Sequence, residues 1–486
     1  MTDSLTFVDE VILTGSRRTA PSLDSFVVVR ADSPADVAAY RTLRREVFVR
    51  EQGLFDGSDH DDVDDDPRTV VLVARAHDSE VLGGVRIHPA LPGPDLGWWR
   101  GSRLAVAPDA RMLMGVGAAL VRAACAEAES LGALRFDATV QAQNERLFRR
   151  LGWVPRERTF LHGHPHVLVD WPIARVQRLV DATKSALGGL LSTLTGGVPA
   201  GFVGDDGAPV PGSDLVAACD AILPSMVERD PEWAGWCAVL VNLNDLSAMG
   251  AAPVALLDAL GARDASFARR VLRGVADASQ AWGVPVVGGH TQLGVPAALS
   301  VTALGRTSRP VPGGGGAPGQ SLRVTADLGG GWRPRYTGAQ WDSSSHRTGE
   351  ELRALAGVVP ALAPTAAKDV SMSGLVGTTG MLAEASGCRA VLDVGAIPAP
   401  AGASYGDWLT CFPGFAMVTA EVSTSSTTEG GSTTEGGSTT DVGLPGFVTT
   451  AVCGELTTGA GVGLRWPDGV VTEAVTSTVT GMGAAS

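Results

Sequence analysis

Asn242-Leu-Asn-Asp-Leu-Ser-Ala-Met-Gly-Ala251 decides the reading of the second half of this chain. It follows an Asp-Pro start and a helical run, and it brings Asp245 up to a glycine turn. Upstream, Gly204-Asp-Asp-Gly-Ala208 sets Asp205 and Asp206 side by side in a glycine-rich turn, and Asp220 follows a short strand. Downstream stand Gly288-Gly-His-Thr291 and Lys368-Asp-Val-Ser-Met-Ser-Gly-Leu375. Magnesium takes several hard oxygen ligands, and tight glycine turns let backbone approach phosphates. Paired aspartates at such a turn suit a two-metal triphosphate site. Any one of these aspartates reads equally well as a cap or a surface carboxylate; the ordered set points to magnesium-bound ATP.

Together these blocks resemble the superfamily of aminoimidazole ribonucleotide (AIR) synthetase, selenophosphate synthetase, thiamine-monophosphate kinase and the hydrogenase-maturation carbamoyl dehydratase, over about residues 196–486. The resemblance implies a two-subdomain α+β fold in which Asp205, Asp206, Asp220 and Asp245 bind magnesium–ATP. It implies that Asp369 faces the same cleft, with Lys368 and His290 in catalytic roles and Gly204, Gly288 and Gly289 against the nucleotide. It also implies a homodimer through the block 198–306. Two departures narrow the choice of member. Residues 174–203 hold no cysteine and Lys184 falls on a predicted helix, which argues against selenide chemistry; Met372-Ser373 interrupts the kinase pattern Asp-Val-Ser-Asp-Gly-Leu. Ala366-Ala-Lys-Asp-Val-Ser371 and Trp408-Leu-Thr-Cys-Phe-Pro-Gly-Phe415 are similar to AIR-synthase-related proteins that accompany GNAT proteins in bacterial nitrilase gene clusters.

The first half has a different grammar. Phe26-Val-Val-Val-Arg30 predicts a strand, and Ser33-Pro34 predicts an N-cap and first helical residue for a helix to about Val49. Gly115-Val-Gly117 lies between a strand ending at Val106 and a helix predicted over Ala118–Leu131. A glycine turn at a helix start exposes N–H groups and the positive dipole end, a ready pyrophosphate site, although such a turn alone is also ordinary. Arg103-Leu-Ala-Val-Ala-Pro through Gly117-Ala-Ala-Leu-Val, Asn144-Glu-Arg-Leu-Phe-Arg-Arg-Leu-Gly-Trp153 and Arg45-Glu-Val-Phe-Val-Arg-Glu-Gln-Gly53 resemble the GNAT acetyltransferase family over residues 26–173. That resemblance implies a mixed, mostly antiparallel sheet with flanking helices. It implies acetyl-CoA, or another acyl-CoA, held by Val106, Arg111, Gly115, Val116, Gly117, Ala118 and Asn144. The family's polar residue falls at Met112, with Arg111 one position off, and its thiolate-protonating tyrosine falls at Phe148. No general base is identifiable among Glu51, the loop 56–66 and His166.

Two further tracts stay open at this level. Asp56–Asp66 is dense in carboxylates and includes His60, so it reads as a site for a cationic amine or divalent ion, or as a solvated acidic loop. His162-Gly-His-Pro-His166 would set three histidines on one strand face, either as a metal tract or as part of the family's end strand.

The whole chain is 486 residues, 44% hydrophobic and 19% charged, with net charge −14. This is a globular composition of two or three domains, and its charge speaks against nucleic acid as partner. Six cysteines with no CxxC pair read as small buried hydrophobes. MTDSLTFVDE lacks a basic n-region, and no uncharged run is long enough for a bilayer, so a cytoplasmic protein with no membrane partner is expected. The expected layout is a lead-in at 1–25, the GNAT-like domain at 26–173 and a helical linker at 174–197. A magnesium–ATP and dimerising subdomain follows at 198–309, then a Gly313–Gly316 linker and a second subdomain at 317–486 with a disordered STTEGG-repeat loop at 423–443. The expected function is bifunctional: acyl-CoA-dependent N-acyltransfer, and ATP-dependent activation of an amide-type oxygen leading to cyclisation or dehydration of a small amine or amide. The alternative is a CoA- and nucleotide-binding regulator with a degenerate acetyltransferase domain.

Overall fold

The computed structural model describes residues 26–77, 79–112, 115–423 and 443–483. The expected lead-in and most of the STTEGG-repeat loop lie outside these residues. The chain is an α+β multidomain protein. It divides into one compact unit built from residues up to His88 with 99–128 and 136–171, and a second built from 89–98, 129–135 and 172 onward. Among the described residues no helix is long and apolar enough to cross a membrane.

The first unit is organised by a seven-stranded sheet of order β1-β2-β3-β4-β5-β7-β6, comprising β1 (Val27–Arg30), β2 (Val70–Arg75), β3 (Val81–Pro89), β4 (Trp98–Val106), β5 (Arg135–Gln141), β6 (Val154–Leu161) and β7 (His164–Trp171). Its helices are α1 (Pro34–Arg44), α2 (Val116–Ser130) and α3 (Glu145–Arg150). Ser33 caps α1 as its sequence predicts, its hydroxyl accepting from the Asp36 N–H. The predicted extension to Val49 is a π-helical turn, Arg45–Glu51.

The second unit has two sheets. The helices α4 (Arg175–Thr183) and α5 (Leu187–Leu191) lead into β8 (Ala208–Pro209), β9 (Leu215–Ile222), α6 (Pro224–Arg229), α7 (Pro231–Ala248), β10 (Ala252–Ala262), α8 (Ala265–Trp282), β11 (Val286–Leu293) and β12 (Ala298–Arg306). These strands form a five-stranded sheet of order β11-β10-β12-β9-β8. One face, through Val216, Ala218, Leu256, Leu260, Leu299 and Val301, packs on α7 and α8. A ribbon of β14 (Gly331–Trp332) and β15 (Trp341–Asp342) follows β13 (Ser321–Asp327), then α9 (Gly349–Ala354), α10 (Val358–Leu362), β16 (Ala366–Asp369), α11 (Gly374–Ala385), β17 (Arg389–Asp393), α12 (Tyr405–Thr410), β18 (Ala416–Glu421), β19 (Val448–Thr457), β20 (Val462–Arg465) and β21 (Val471–Val475). The second sheet has order β16-β18-β13-β19-β17-β20-β21. α7 is apolar all round and buried on nearly every side, between its own sheet and Val358 and Val359 of α10, Phe415, and Met417 of β18.

Two sequence readings change here. Gly313–Gly316, expected as a linker, is a packed strap. A Cβ at Gly314 would stand 2.6 Å from the Ala385 carbonyl oxygen, and one at Gly315 would stand 2.0 Å from that of Thr365. Glycine is needed there for close backbone approach, not for looseness. The cysteines divide: five are buried, but Cys219 is exposed on the uncovered face of the five-stranded sheet.

Candidate functional sites

In the second unit, Gly204 at φ +70° turns the chain into the loop before β8 that carries Asp205 and Asp206. Asp205 is used as scaffold. Its Oδ2 accepts from the Gly313 N–H at 2.6 Å, and its Oδ1 accepts from the Asp206 N–H and from Lys368 Nζ at 3.1 Å. Expected as a magnesium ligand, it is not one of the three carboxylates that cluster closely enough to share an ion. Lys368 is 1% exposed and donates to Gly204 O, Asp205 and Asp206 at 3.1, 3.1 and 2.9 Å. Burial alone would lower its ammonium, but the charges of Asp206 and Asp205 outweigh burial and hold it above its ordinary range. With all three donors occupied, it positions the aspartate loop.

Asp206 shares Lys368 with Asp205 through its Oδ1. Its Oδ2 accepts from the Asp369 N–H at 2.9 Å, tying the loop to β16. Asp206, Asp245 near the end of α7, and Asp369 offer ligand oxygens within 4.8 Å of one another, the one such group among the described residues. Burial, then Asp206 and Asp220, push Asp369 well above the usual carboxylate range; burial, then Asp369 and Asp220, do the same to Asp245. Asp369 Oδ2 is buried with no hydrogen-bond partner. An orphaned carboxylate oxygen among crowded carboxylates is the donor set of a hard divalent cation, which would reverse that electrostatic cost.

Asp220, on β9, is held high by enclosure of its carboxyl, pulled down by Lys184 and pushed up by Asp206, although the residue as a whole is exposed. It borders the three-carboxylate group without joining it. His290, Gly288 and Gly289 lie elsewhere. They sit on β11, at the far edge of the sheet, with β10 and β12 between them and β9, about 14 Å at three strand spacings. Within one chain His290 therefore does not meet the carboxylates, contrary to its expected catalytic place. Sequence reasoning missed Gly313 as the donor that orients Asp205, because a glycine run reads as a linker.

In the first unit α2 begins at Val116, not Ala118. The Ala119 N–H donates to Gly115 O, and Gly115 itself sits at φ +121° with open space where a Cβ would stand. The first N–H groups of a helix, those of Val116, Gly117 and Ala118, have no acceptor within it. A Cβ on Gly117 would stand 3.7 Å from Val106 Cγ2, which places the end of β4 beside this turn. Arg111 is committed elsewhere: its two Nη atoms grip Glu51 at 2.5 and 2.7 Å, and Nε donates to Val106 O. The same pairing lowers Glu51, which removes it as a general base.

The same unit holds a cavity of about 370 Å³, lined by Asn144, Phe148, His162 and His166 among others. Phe148 is 5% exposed and meets Trp153 edge to face at 5.4 Å. The three histidines do not share a strand face. His162 and Gly163, both at positive φ, form the two-residue turn between β6 and β7, so the strand alternation starts only at His164. The acidic loop is divided: Asp56, Asp62 and Asp65 are exposed, whereas Asp59, Asp61 and Asp64 are held by arginines. Arg44, 1% exposed, binds Asp59 at 2.6 Å and Asp64 at 2.5 Å; Arg86, 2% exposed, binds Asp61 at 2.6 Å and Asp64 at 2.8 Å; Arg103 reaches Asp61 at 3.0 Å. His60 stays exposed beside Asp65.

Two sheets meeting at one carboxylate cleft, together with a separate seven-stranded unit bearing an open helix N-terminus, define a two-domain fusion. The description "AIR synthase related protein, N-terminal domain" matches residues 204–307, and "Acetyltransferase (GNAT) family" matches residues 37–153. An uncharacterized protein of Synechocystis sp. is 38% identical over 224 residues, spanning 44% of this chain and 69% of that protein. The thiamine-monophosphate kinase of Halobacterium salinarum is 31% identical over 229 residues, spanning 45% of this chain and 74% of the kinase. The solved thiamine monophosphate kinase from Aquifex aeolicus is similar at TM-score 0.41 and 21% identity, over 58% of this chain and 95% of that one. The chain belongs to the AIR synthase-related family and carries a GNAT acetyltransferase domain ahead of the family's own domain.

Proposed function

We propose that the second unit is an ATP- and magnesium-dependent enzyme that activates an amide-type oxygen of a small molecule, and that the first unit transfers an acyl group from CoA to an amine. The observation that carries the first part is the buried, partnerless Asp369 Oδ2 within the Asp206–Asp245–Asp369 group. These three residues would hold magnesium, which bridges carboxylates to the nucleotide's phosphates and stabilises charge on the transferred phosphoryl group. Lys368 and Asp205 hold the Gly204–Asp206 turn in place. The Asp369 N–H fixes which oxygen of Asp206 turns into the cleft. The kinship with thiamine-monophosphate kinases supports phosphoryl chemistry, and the fused acyltransferase supports an amide as its object.

ATP turnover with magnesium, measured with and without a pool of small amides, tests this reading. Phosphate release that depends on magnesium and rises with an amide supports it; no turnover under any condition overturns it. The second reading, a regulator with a decayed acetyltransferase, rests on Phe148, which offers no proton to a leaving thiolate. Tight acetyl-CoA binding without transfer to any amine favours it.

The proposed protein is a homodimer joined through the five-stranded sheet. The face away from α7 and α8 is uncovered, with Leu257, Thr302 and Cys219 in one cross-strand row, and edge strand β11 is exposed along its length with Val287 63% exposed. Sedimentation as a dimer at micromolar concentration supports this; a monomer overturns it.

A further inference from the structure

The first unit's cavity has a composition that selects its guest. Phe48, Phe55, Phe136, Phe148, Trp153 and Leu161 form the large apolar part of its wall. Among the described residues the charged or titratable side chains lining it are Arg100, Arg103, His162 and His166, with no carboxylate. Asp59, Asp61 and Asp64, the nearest acidic tract in sequence, are occupied by Arg44, Arg86 and Arg103. A cationic group that does not give up its proton to a histidine would therefore meet arginines and aromatic rings with no counter-ion, at the desolvation cost of an unpaired charge. The volume of about 370 Å³ suits a small molecule.

His166 is 8% exposed, and its Nδ1 stands 2.8 Å from the His164 carbonyl oxygen. A carbonyl only accepts, so Nδ1 carries the hydrogen and Nε2 keeps the lone pair. The tautomer is set by backbone that belongs to the same strand, β7, and so does not depend on the guest. His162, by contrast, is exposed in the turn with its ring against Phe55 at 4.5 Å.

We infer that this cavity takes a primary amine bearing a single aromatic or branched apolar group, and that His166 Nε2 is the base of the transfer. The inference rests on the proposed acyl-CoA reading of the same unit. The amine arrives as an ammonium ion. His166 Nε2 takes one proton, and the freed lone pair attacks the thioester carbonyl carbon. A C–N bond forms and the C–S bond breaks, with its electron pair leaving on the CoA thiolate. The second nitrogen proton, lost as the amide forms, reaches the thiolate through water, because Phe148 has none to give. The products are the N-acyl amine, CoA thiol and His166 carrying one proton for return to solvent.

The test uses the full chain with acetyl-CoA, following thiol release with phenethylamine and isoamylamine against putrescine and spermidine, alongside calorimetry of acetyl-CoA. The first two amines are expected to turn over at least about tenfold faster in kcat/KM than the polyamines. His166→Gln is expected to lower kcat by about 10²–10⁴-fold, to leave acetyl-CoA affinity within about twofold, and to flatten the acidic limb of the pH profile. Ala138→Leu, which narrows the wall, is expected to raise KM for phenethylamine and leave acetyl-CoA affinity unchanged. Acetyl-CoA binding with polyamines preferred, with no amine acylated, or with His166→Gln within about threefold of wild type across pH, overturns this inference alone. Failure of the wild type to bind acetyl-CoA overturns the underlying acyl-CoA reading and this inference with it.

Discussion

The molecule holds two clusters of carboxylates, and they are electrostatic opposites. In the first unit Asp59, Asp61 and Asp64 lie against Arg44, Arg86 and Arg103, so the acidic loop is neutralised from within. Burial raises Asp61 and Asp64, but the arginines more than reverse it and both end below the usual carboxylate range. In the second unit Asp206, Asp245 and Asp369 crowd within 4.8 Å, and the buried Lys368 binds Asp205 and Oδ1 of Asp206. Asp245 and Asp369 end far above that range. The density of aspartates in the sequence is greater in the first cluster, yet only in the second do burial and like charge outweigh the nearby cation. What marks a cation site is uncompensated charge.

The sharpest way to break this contrast is to remove one ligand. Asp245→Asn keeps the shape and relieves like-charge crowding. Magnesium affinity by calorimetry should fall by more than about tenfold, magnesium-dependent ATP turnover should vanish, and the metal-free thermal midpoint should hold or rise. A collapse of the metal-free protein would place Asp245 among structural residues instead.

The first cluster should respond in the reverse sense. Arg44→Met removes the closest cation from Asp59 and leaves Asp64 to Arg86 alone, and should destabilise the first unit by about 3–5 kcal/mol in urea titration, with magnesium giving no rescue. Wild-type stability of the second unit should instead rise with magnesium by mass action. Rescue of Arg44→Met by magnesium would show that the loop is a cation site after all.

Asp205→Asn separates scaffold from ligand within the second cluster. Three donors, from Lys368, Gly313 and Asp206, converge on its carboxylate. The metal-free midpoint should drop by an amount corresponding to about 1–3 kcal/mol, whereas Asp245→Asn shows no drop. Equal behaviour of the two variants would erase the distinction.

The smallest effect is in pH. Asp61 and Asp64 have lowered folded pKa values, so the unfolded state binds protons first as pH falls. Their contribution is complete above about pH 5 and is lost progressively as pH drops below about 4, the unfolded value. Acid titration of the isolated fluorescence of the first unit's tryptophans should show that loss in wild type and a shallower one in Asp61→Asn. A profile independent of Asp61 would mean that its ion pairs add nothing.

Local signals were readable directly. The Ser33 cap, the apolar length of α7 and the glycine turn before α2 each involve a few adjacent residues, and their chemistry is complete within that span. Errors arose where the deciding partner is distant in sequence. Asp205 and Asp206 are neighbours with opposite duties, and adjacency cannot tell which carboxylate turns toward the cleft. His162 looked like part of a strand triplet because alternation cannot reveal that two residues at positive φ turn the chain back. His290 belongs to a recognisable motif, yet sheet order puts it three strands from Asp220.

By itself, the sequence determined the two kinds of domain, the helix that carries Asp245, the turn that carries Asp205 and Asp206, and the helix start at Gly115–Gly117, because propensity, capping and glycine geometry act over short spans. Only the tertiary structure decided which charges meet. Lys368 closes on Asp205 and Asp206 across 163 and 162 residues, and Arg44 and Arg86 reach the 56–66 loop from α1 and β3. Coulomb energy depends on separation and surrounding polarity. Both are set by the packing of sheets, so the same residue type is neutralised by arginines in one unit and crowded among like charges in the other.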